Sequence, residues 1–283
     1  MPQISSDLPF SVYIRTLNEQ RCLGQVLEAV QGLTSDLVVV DSGSTDRTLE
    51  IAQEHGARVI SQKWLGAGMQ KRVGEDACRH DWVLDLDADE IVSEELANEI
   101  RQLFASGPPT CPIFQLKQTQ VFISGYRNPR LGTRRRSKLY NRKQIRIPDH
   151  IAWDQFHIPK GMPHQVLNGP LWHYGYEGFG QLAIKQTGWM RKQALGMQRL
   201  SRPALTMRLL FGFPSQFIKK FFVQGYWRAG MEGLIMAAIC AFSTWIKYAM
   251  LYERDFIPSG SQQQQQQQQQ QAATCPSVDQ KAA

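Results

Sequence analysis

Leu37-Val-Val-Val-Asp41-Ser-Gly43-Ser44-Thr-Asp46-Arg-Thr-Leu-Glu-Ile-Ala-Gln-Glu-His55-Gly56 reads as a buried strand, an acid at its end, a loop of small residues and a helix. Leu37–Val40 is a β-branched run suited to a parallel strand covered on both faces. Thr45–His55 predicts a helix with Ser44 or Thr45 as cap and Gly56 as its stop. The same alternation continues outward in both directions. Phe10–Ile14 reads as a strand, and Cys22, Leu23, Val26, Leu27 and Val30 fall on one helical face. Arg58–Ile60 and Trp82–Leu86 give a third and a fourth strand. Ser93–Phe104 gives a helix with Glu94 and Glu95 in its first turn, where the macrodipole favours acids. The pattern predicts a doubly wound α/β sheet.

Beyond Gly107 the reading is less regular. Ile113–Lys117 and Gln120–Ile123 are short β-type runs, and Arg127–Arg146 holds nine Arg or Lys and no acid. After Pro170 the pattern turns helical and aromatic, and Pro203–Tyr252 carries 11 of the 28 aromatic residues. Ten consecutive glutamines, Gln262–Gln271, cannot build a core. The expected organisation is an α/β domain over residues 1–200, a helical segment over 201–257 and a disordered Gln-rich tail over 258–283.

With 283 residues, 42% of them hydrophobic, the chain has material for a sizeable core, which excludes global disorder. Its net charge of +7 conceals a split: residues 1–100 carry 8 basic and 18 acidic side chains, and the remainder 24 and 7. Such asymmetry suggests a carboxylate-bearing half and a half that meets something anionic. Five scattered cysteines (Cys22, Cys78, Cys111, Cys240, Cys275) form no C-x-x-C pair, which argues against a zinc site or a disulfide framework. The N-terminus lacks the basic start and apolar run of a secretory signal. The longest uncharged apolar run, Gly233–Ile246, has 14 residues, short of the roughly 20 of a spanning helix. These features suit a cytoplasmic protein that touches a membrane.

Three stretches carry chemistry. Asp85-Leu-Asp87-Ala-Asp89-Glu90 ends the fourth strand, and strand alternation sends Asp85, Asp87 and Asp89 to one side. Clustered carboxylates repel unless a cation sits among them, and Mg²⁺ or Mn²⁺ shared with substrate phosphates meets that need. A solvated acidic loop ahead of a helix is the plainer alternative. Asp41, at the end of its strand, can accept hydrogen bonds from a base or ribose, and the small loop after it lets a ligand approach the backbone, although an ordinary capped strand–helix turn is the plainer reading of this segment alone. The loop has neither the lysine nor the glycine spacing of a P-loop, which disfavours an ATPase. Trp64-Leu-Gly66-Ala-Gly68-Met-Gln-Lys71-Arg72 sets a basic pair after two glycines, suited to a diphosphate or to a solvated helix face.

Taken together, these stretches resemble the GT-A glycosyltransferases of family 2. Thr16-Leu-Asn18-Glu19 is similar to that family's nucleotide-contacting N-E element, Val38–Asp46 to its base-binding turn and Asp87-Ala-Asp89 to its metal-binding D-x-D. Arg136-Ser-Lys-Leu-Tyr-Asn-Arg142 looks like its R-x-x-x-L-[FY] strand. Leu171-Trp-His173-Tyr174 and the stretch from Phe217 to Glu253 resemble the bacterial subgroup that builds lipopolysaccharide core. That subgroup carries V-H-E where this chain has Ala152-Trp153-Asp154, so Asp154 falls on the position of the general base, with Asp149 and His150 as near competitors.

The resemblance implies a GT-A sheet with a C-terminal membrane-associating helical segment. It implies a metal-dependent, inverting hexosyltransferase using a nucleotide-sugar, UDP-sugars favoured, and a glycan or glycolipid acceptor in lipopolysaccharide core or other envelope polysaccharide synthesis. Thr16, Asn18, Glu19, Asp41, Gly43, Ser44, Lys71 and Asp87 would bind the donor. Asp87 and Asp89 would hold Mg²⁺ or Mn²⁺, Asp154 would act as base, and Arg136 and His173 would meet the acceptor. The aromatic and basic residues of 203–252 suit an anionic membrane interface, and the expected place is the inner face of the plasma membrane. Nucleic acid is not an expected partner: the basic residues follow no R-G-F or zinc-finger pattern, and the first hundred residues are acidic. A catalytically inactive glycan-binding or scaffold protein of the same fold is the alternative.

Overall fold

The computed structural model describes residues 8–151 and 153–257; the glutamine run, Cys275 and Ala152 lie outside the described residues. The chain divides into two units, the first ending at Glu177 and the second beginning at Gly178. This differs from the expected break near residue 200. The helix Phe179–Gly196 belongs with the helices that follow it.

The first unit is an eight-stranded sheet with β1 (Phe10–Thr16), β2 (Leu37–Asp41), β3 (Arg58–Ser61), β4 (Trp82–Asp87), β5 (Glu90–Val92), β6 (Ile113–Gln120), β7 (Arg134–Asn141) and β8 (Gln165–His173). The spatial order is β3-β2-β1-β4-β7-β6-β8-β5. The four strands of the acidic region, β3 through β4, are parallel, and β7 enters antiparallel beside β4. Helices α1 (Leu23–Val30), α2 (Thr48–Glu54) and α4 (Glu94–Phe104) join a core on one face with Val12, Ile14, Val39, Leu84 and Leu86. On the other face, α3 (Ala67–Ala77) lies against Tyr13, Val38, Val83 and Tyr140. Alternate residues of β1, β2 and β4 therefore feed opposite cores, which is why apolar residues predominate in all three.

Two local differences from the sequence reading have clear causes. Helix α2 begins at Thr48 rather than Thr45, because Asp46 accepts hydrogen bonds from both the backbone N–H and the hydroxyl of Thr48, while Ser44 is committed to Asp41. Of the two short runs after Gly107, the first extends into strand β6, which ends at Gln120, whereas Val121–Ile123 of the second form no strand. Strand β8 lies between β6 and β5 although Gly169 and Pro170 interrupt it; any side chain at Gly169 would strike the backbone of Leu96 at 2.3 Å. Ser93, at the start of the expected helix, caps α4 by accepting from the N–H of Leu96.

The second unit consists of α5 (Phe179–Gly196), α6 (Arg202–Ile218) and α7 (Gly230–Phe256). A π-helical turn (Lys219–Val223) and a 3₁₀ turn (Tyr226–Ala229) join the last two. Its core is Ala194, Leu205, Tyr248 and Leu251. The 14-residue apolar run lies inside a continuous helical stretch, Tyr226–Phe256, of 31 residues, which by length and composition is able to cross a membrane. The run is thus not the boundary that the sequence suggests.

Asp36, just before β2, is the polar anchor of the sheet's other end. Its buried carboxylate accepts hydrogen bonds from Ser11 Oγ (2.6 Å), the Arg79 N–H (2.7 Å) and Arg58 Nη2 (2.7 Å). Burial pushes its pKa up, but these three partners outweigh it and leave the group below the usual aspartate range. A depressed folded pKa contributes stability that is present above the unfolded value and lost as pH falls through the folded one. Asp36→Asn should therefore unfold at lower urea concentration at pH 7 and show a shallower loss of stability on acidification. Removing the partnered charge altogether, as Asp36→Ala, should cost about 3–5 kcal/mol.

Candidate functional site

The carboxyl ends of β1 and β4 meet at the point where the strand order reverses, the place where open α/β sheets bind ligands. A cleft of about 300 Å³ opens there, lined by Arg15, Thr16, Leu17, Glu19, Ser42, Trp64, Asp87, Ala88, Asp89 and His173.

One wall is built by two knitted loops. Asn18 has a left-handed backbone (φ 54°); its N–H donates to Ser44 Oγ (2.8 Å), and its amide oxygen accepts from the Thr45 N–H (2.8 Å). The Glu19 N–H donates to Thr48 Oγ1 (2.8 Å). Asp41 is buried, and its carboxylate accepts from the N–H groups of Gly43 and Ser44 (both 2.9 Å) and from the Ser44 hydroxyl. Asp41 thus shapes this turn from beneath and does not line the cleft. Glycine is needed at position 43, where φ is +105°.

The floor is a charge cluster. Asp85 is fully buried, with Oδ2 at 2.9 Å from Lys71 Nζ and Oδ1 without a hydrogen-bond partner. Asp87 accepts from Arg15 Nε (2.7 Å), and its other oxygen lies 3.4 Å from Lys138 Nζ. Lys138 is buried and bonds Glu90 (2.7 Å), which also accepts from the Asp87 N–H and the Gln118 amide. Burial pushes Asp87 up, but Arg15, Lys138 and Lys71 outweigh it and hold the carboxyl well below the usual range. Burial raises Glu90, while for Lys138 the surrounding acids overcome burial and raise its pKa. The cation expected among these carboxylates is therefore supplied by Lys71, Lys138 and Arg15.

Asp89 faces elsewhere. Strand β4 ends at Asp87, so alternation stops there, and the turn to β5 sets Asp89 Oδ2 at 3.4 Å from His173 Nε2. His173 Nδ1 lies 3.1 Å from the Gln120 amide oxygen. With that oxygen accepting, Nδ1 carries hydrogen and Nε2 turns toward Asp89. A carboxylate and an imidazole nitrogen in this arrangement require a proton or a cation between them. Burial lowers the His173 pKa, but Asp89 overcomes it and raises it. The Asp89 carboxylate at the cleft suits Mg²⁺ or Mn²⁺, ions that complete their shells with substrate phosphates and water, whereas the His173 imidazole is a softer donor than Mg²⁺ takes. No group of three or more such ligands occurs among the described residues. Asp87, expected as a second ligand, has both oxygens engaged by cationic side chains.

Residues 11–168 match the family described as Glycosyl transferase family 2. The chain belongs to that family. A glycosyltransferase of Rickettsia prowazekii (strain Madrid E) is 30% identical over 86% of both chains. The lipopolysaccharide core biosynthesis glycosyltransferase LpsC of Rhizobium meliloti (strain 1021) is 25% identical, covering 87% of this chain and 93% of LpsC. The solved structure of S. aureus TarS in complex with UDP-GlcNAc is 14% identical and covers 89% of this chain and 93% of that one, with a TM-score of 0.48.

Of the residues that the sequence singled out in this family 2 glycosyltransferase, Thr16, Glu19, Asp87, Asp89 and His173 line the cleft together. Asn18, Gly43 and Ser44 belong to the supporting loops. Lys71, expected at the donor phosphates, is buried and committed to Asp85. Arg136 lies in β7 opposite Leu116 and does not line the cleft. Asp154 joins the cluster from an irregular segment, with Oδ2 at 2.8 Å from Arg15 Nη2 and 3.7 Å from Lys71 Nζ. Burial pushes its pKa up, but Lys71 and Arg15 outweigh it and lower it. Among the competitors for the base, His150 accepts from the Trp153 N–H (3.1 Å). Arg15, Glu90, Lys138 and Trp64 went unread, although a charge near the end of an apolar parallel strand was a visible signal for Arg15.

The two glycines of the Trp64–Lys71 stretch have a different task from a phosphate loop. The N–H groups of Ala67 and Gly68 donate to the carbonyls of Ile151 (2.7 Å) and His150 (2.9 Å), clamping the segment that leads to Asp154. A Cβ on Gly68 would lie 2.3 Å from the carbonyl oxygens of both Pro148 and Trp153. Gly68→Ala should displace that segment, lower the unfolding free energy by about 1–3 kcal/mol and reduce glycosyl transfer. Urea denaturation alongside a transfer assay checks both effects.

Proposed function

We propose that the chain is an inverting, metal-dependent hexosyltransferase that moves a sugar from a UDP-sugar to a hydroxyl of a glycan or glycolipid in lipopolysaccharide core or other envelope polysaccharide synthesis. The observation that carries the reading is the cleft at the switch point, with the Asp89–His173 pair on one side and Asp154 tied to the opposite cluster. The name of LpsC supports the choice of pathway. Thr16, Glu19 and Ser42 line the place for the nucleoside, with Asn18, Gly43, Ser44 and Asp41 holding that wall in shape. Asp89 and His173 would hold the divalent ion, which neutralises the leaving diphosphate. Arg15, Lys71 and Lys138 fix the charge of the floor.

Asp154 accepts the proton of the acceptor hydroxyl as that oxygen bonds to the anomeric carbon. On the opposite side of that carbon the bond to the diphosphate oxygen breaks, and UDP carries away its electron pair. The transition state is oxocarbenium-like. For the acceptor, Arg136 has company: Arg130, Arg134 and Arg135 are likewise without an ion-pair partner among the described residues and offer guanidinium groups to phosphate or carboxylate substituents.

The second unit suits an anionic bilayer at the cytoplasmic face of the membrane. Around the π and 3₁₀ turns, Phe222, Val223, Trp227 and Met231 are exposed together with Lys219 and Arg228. Exposed aromatic and aliphatic side chains beside cations are the composition of an interfacial element.

Two measurements test this function. A panel of UDP-, GDP-, ADP- and dTDP-sugars with Mg²⁺ or Mn²⁺ should give turnover with a UDP-sugar, abolished by EDTA and by Asp89→Ala; full turnover in EDTA would refute the metal. Asp154→Asn should lower kcat by about 100- to 10,000-fold while the protein stays folded. Separately, the full chain should float with phosphatidylglycerol vesicles and not with phosphatidylcholine vesicles. Phe222→Ser combined with Trp227→Ser should abolish that flotation.

A further inference from the structure

Asp154 sits in a segment with no regular secondary structure between β7 and β8. Nothing periodic fixes its side chain, so its contacts must. The backbone before it is pinned three times. The Ile147 N–H donates to buried Glu75 (3.0 Å), and the carbonyls of His150 and Ile151 accept from α3's first residues. The carboxylate of Asp154 has one charged partner at hydrogen-bond distance, Arg15 Nη2 at 2.8 Å. Lys71 is 3.7 Å away and spends its short contact, 2.9 Å, on Asp85.

Arg15 is placed for this task by the sheet. It lies in β1 in register with Asp87 of β4, so its stem rises from a strand paired on both sides, at the edge of the cleft. Its guanidinium reaches three acceptors at once: Nε meets Asp87 Oδ1 (2.7 Å), Nη1 the Ala67 carbonyl (3.3 Å) and Nη2 Asp154 Oδ2. A planar fork with donors in fixed directions holds two carboxylates at a set separation, which the point charge of a lysine cannot do. The Ala67 contact ties the same group to the loop that clamps the Asp154 segment.

We propose that Arg15 is a positioning residue for glycosyl transfer, fixing the carboxylate of Asp154 against the strand that bears Asp87. The inference rests on the reading of Asp154 as the base. Arg15 acts through that carboxylate, so its loss misplaces the proton acceptor and leaves the nucleotide wall intact.

The test uses the full chain and the UDP-sugar that is turned over, with four variants: Arg15→Ala, Arg15→Lys, Asp154→Asn and the Arg15→Ala/Asp154→Asn double. Arg15→Ala should lower kcat by about 100-fold, the penalty of a misplacement near 1 Å. The UDP dissociation constant from titration calorimetry should stay within about threefold, as for a group that spares ground-state binding. Amide hydrogen exchange at 153–156 should quicken by about tenfold or more as the segment loses its anchor. Arg15→Lys should fall between wild type and Arg15→Ala on every readout, and it carries the test if Arg15→Ala does not fold. Acting through Asp154, Arg15→Ala should add nothing in the double variant beyond Asp154→Asn alone. Losses that multiply in the double variant, or unchanged exchange at 153–156, would overturn the positioning role with the base reading intact. Near-normal turnover by Asp154→Asn would instead remove the base, and the proposal with it.

Discussion

Four carboxylates, Asp85, Asp87, Glu90 and Asp154, converge with three cations, Arg15, Lys71 and Lys138; Asp85, Glu90, Lys71 and Lys138 are buried, and the other three keep part of their surface exposed. Bringing these groups together costs desolvation, and their mutual attraction offsets that cost only while every partner is present. The seven members come from six segments: β1 gives Arg15, α3 gives Lys71, β4 gives Asp85 and Asp87, β5 begins with Glu90, β7 gives Lys138 and the irregular segment gives Asp154. The cluster therefore fixes how the antiparallel half of the sheet meets the parallel half. Lys138 is decisive here, because β7 is the strand through which the parallel half passes into the antiparallel half.

The same cluster explains why the D-x-D stretch behaves as two different groups. Asp87 is the last residue of a strand and is held by cations from both sides. Asp89 follows one residue into a turn, where alternation has ended and a histidine from β8 faces it. Two acids that look equivalent in the sequence thus stand in different settings: Asp87 belongs to the floor, and Asp89 lines the cleft beside His173.

How much of this was readable follows from the range of the interactions involved. The parallel strands were visible because both faces of each are buried, leaving unbroken apolar runs such as Leu37–Val40. The two stretches that carry the family resemblance, Val38–Asp46 and Asp87–Asp89, both contribute residues to the cleft. Strand β8 was invisible because Asn168, Gly169 and Pro170 break its pattern; the glycine answers a close approach by α4, which only the folded chain shows. The partners of the acids were hidden for another reason. Lys71 and Lys138 stand 14 residues from Asp85 and 48 from Glu90, and no periodicity encodes an ion pair across such distances. Gly66 and Gly68 looked like ligand-facing residues because closeness of backbone to backbone leaves the same trace as closeness of backbone to phosphate.

The charge split between the two ends of the sequence acquires a different meaning in the fold. An acidic first hundred residues and a basic remainder suggest separate partners, but much of the excess is internal complementarity. Within the nine-cation stretch Arg127–Arg146, Lys138 neutralises Glu90 and Asp87, Lys143 meets Asp81, and Arg146 meets Glu75 and Asp76. Arg142 donates to the Glu75 carbonyl, and Arg127 stacks on Trp172 and Tyr174. Cations that looked like a single patch for an anionic ligand are thus largely what closes the sheet. The guanidinium groups of Arg130, Arg134, Arg135 and Arg136 are the ones in that stretch with no acid, ring or backbone carbonyl as partner among the described residues. The first half of β7 and the loop before it carry these four, whereas the second half of the strand faces inward. The transition from exposed Arg134 to buried Lys138 along one strand separates the charge that stays on the surface from the charge that holds the protein together.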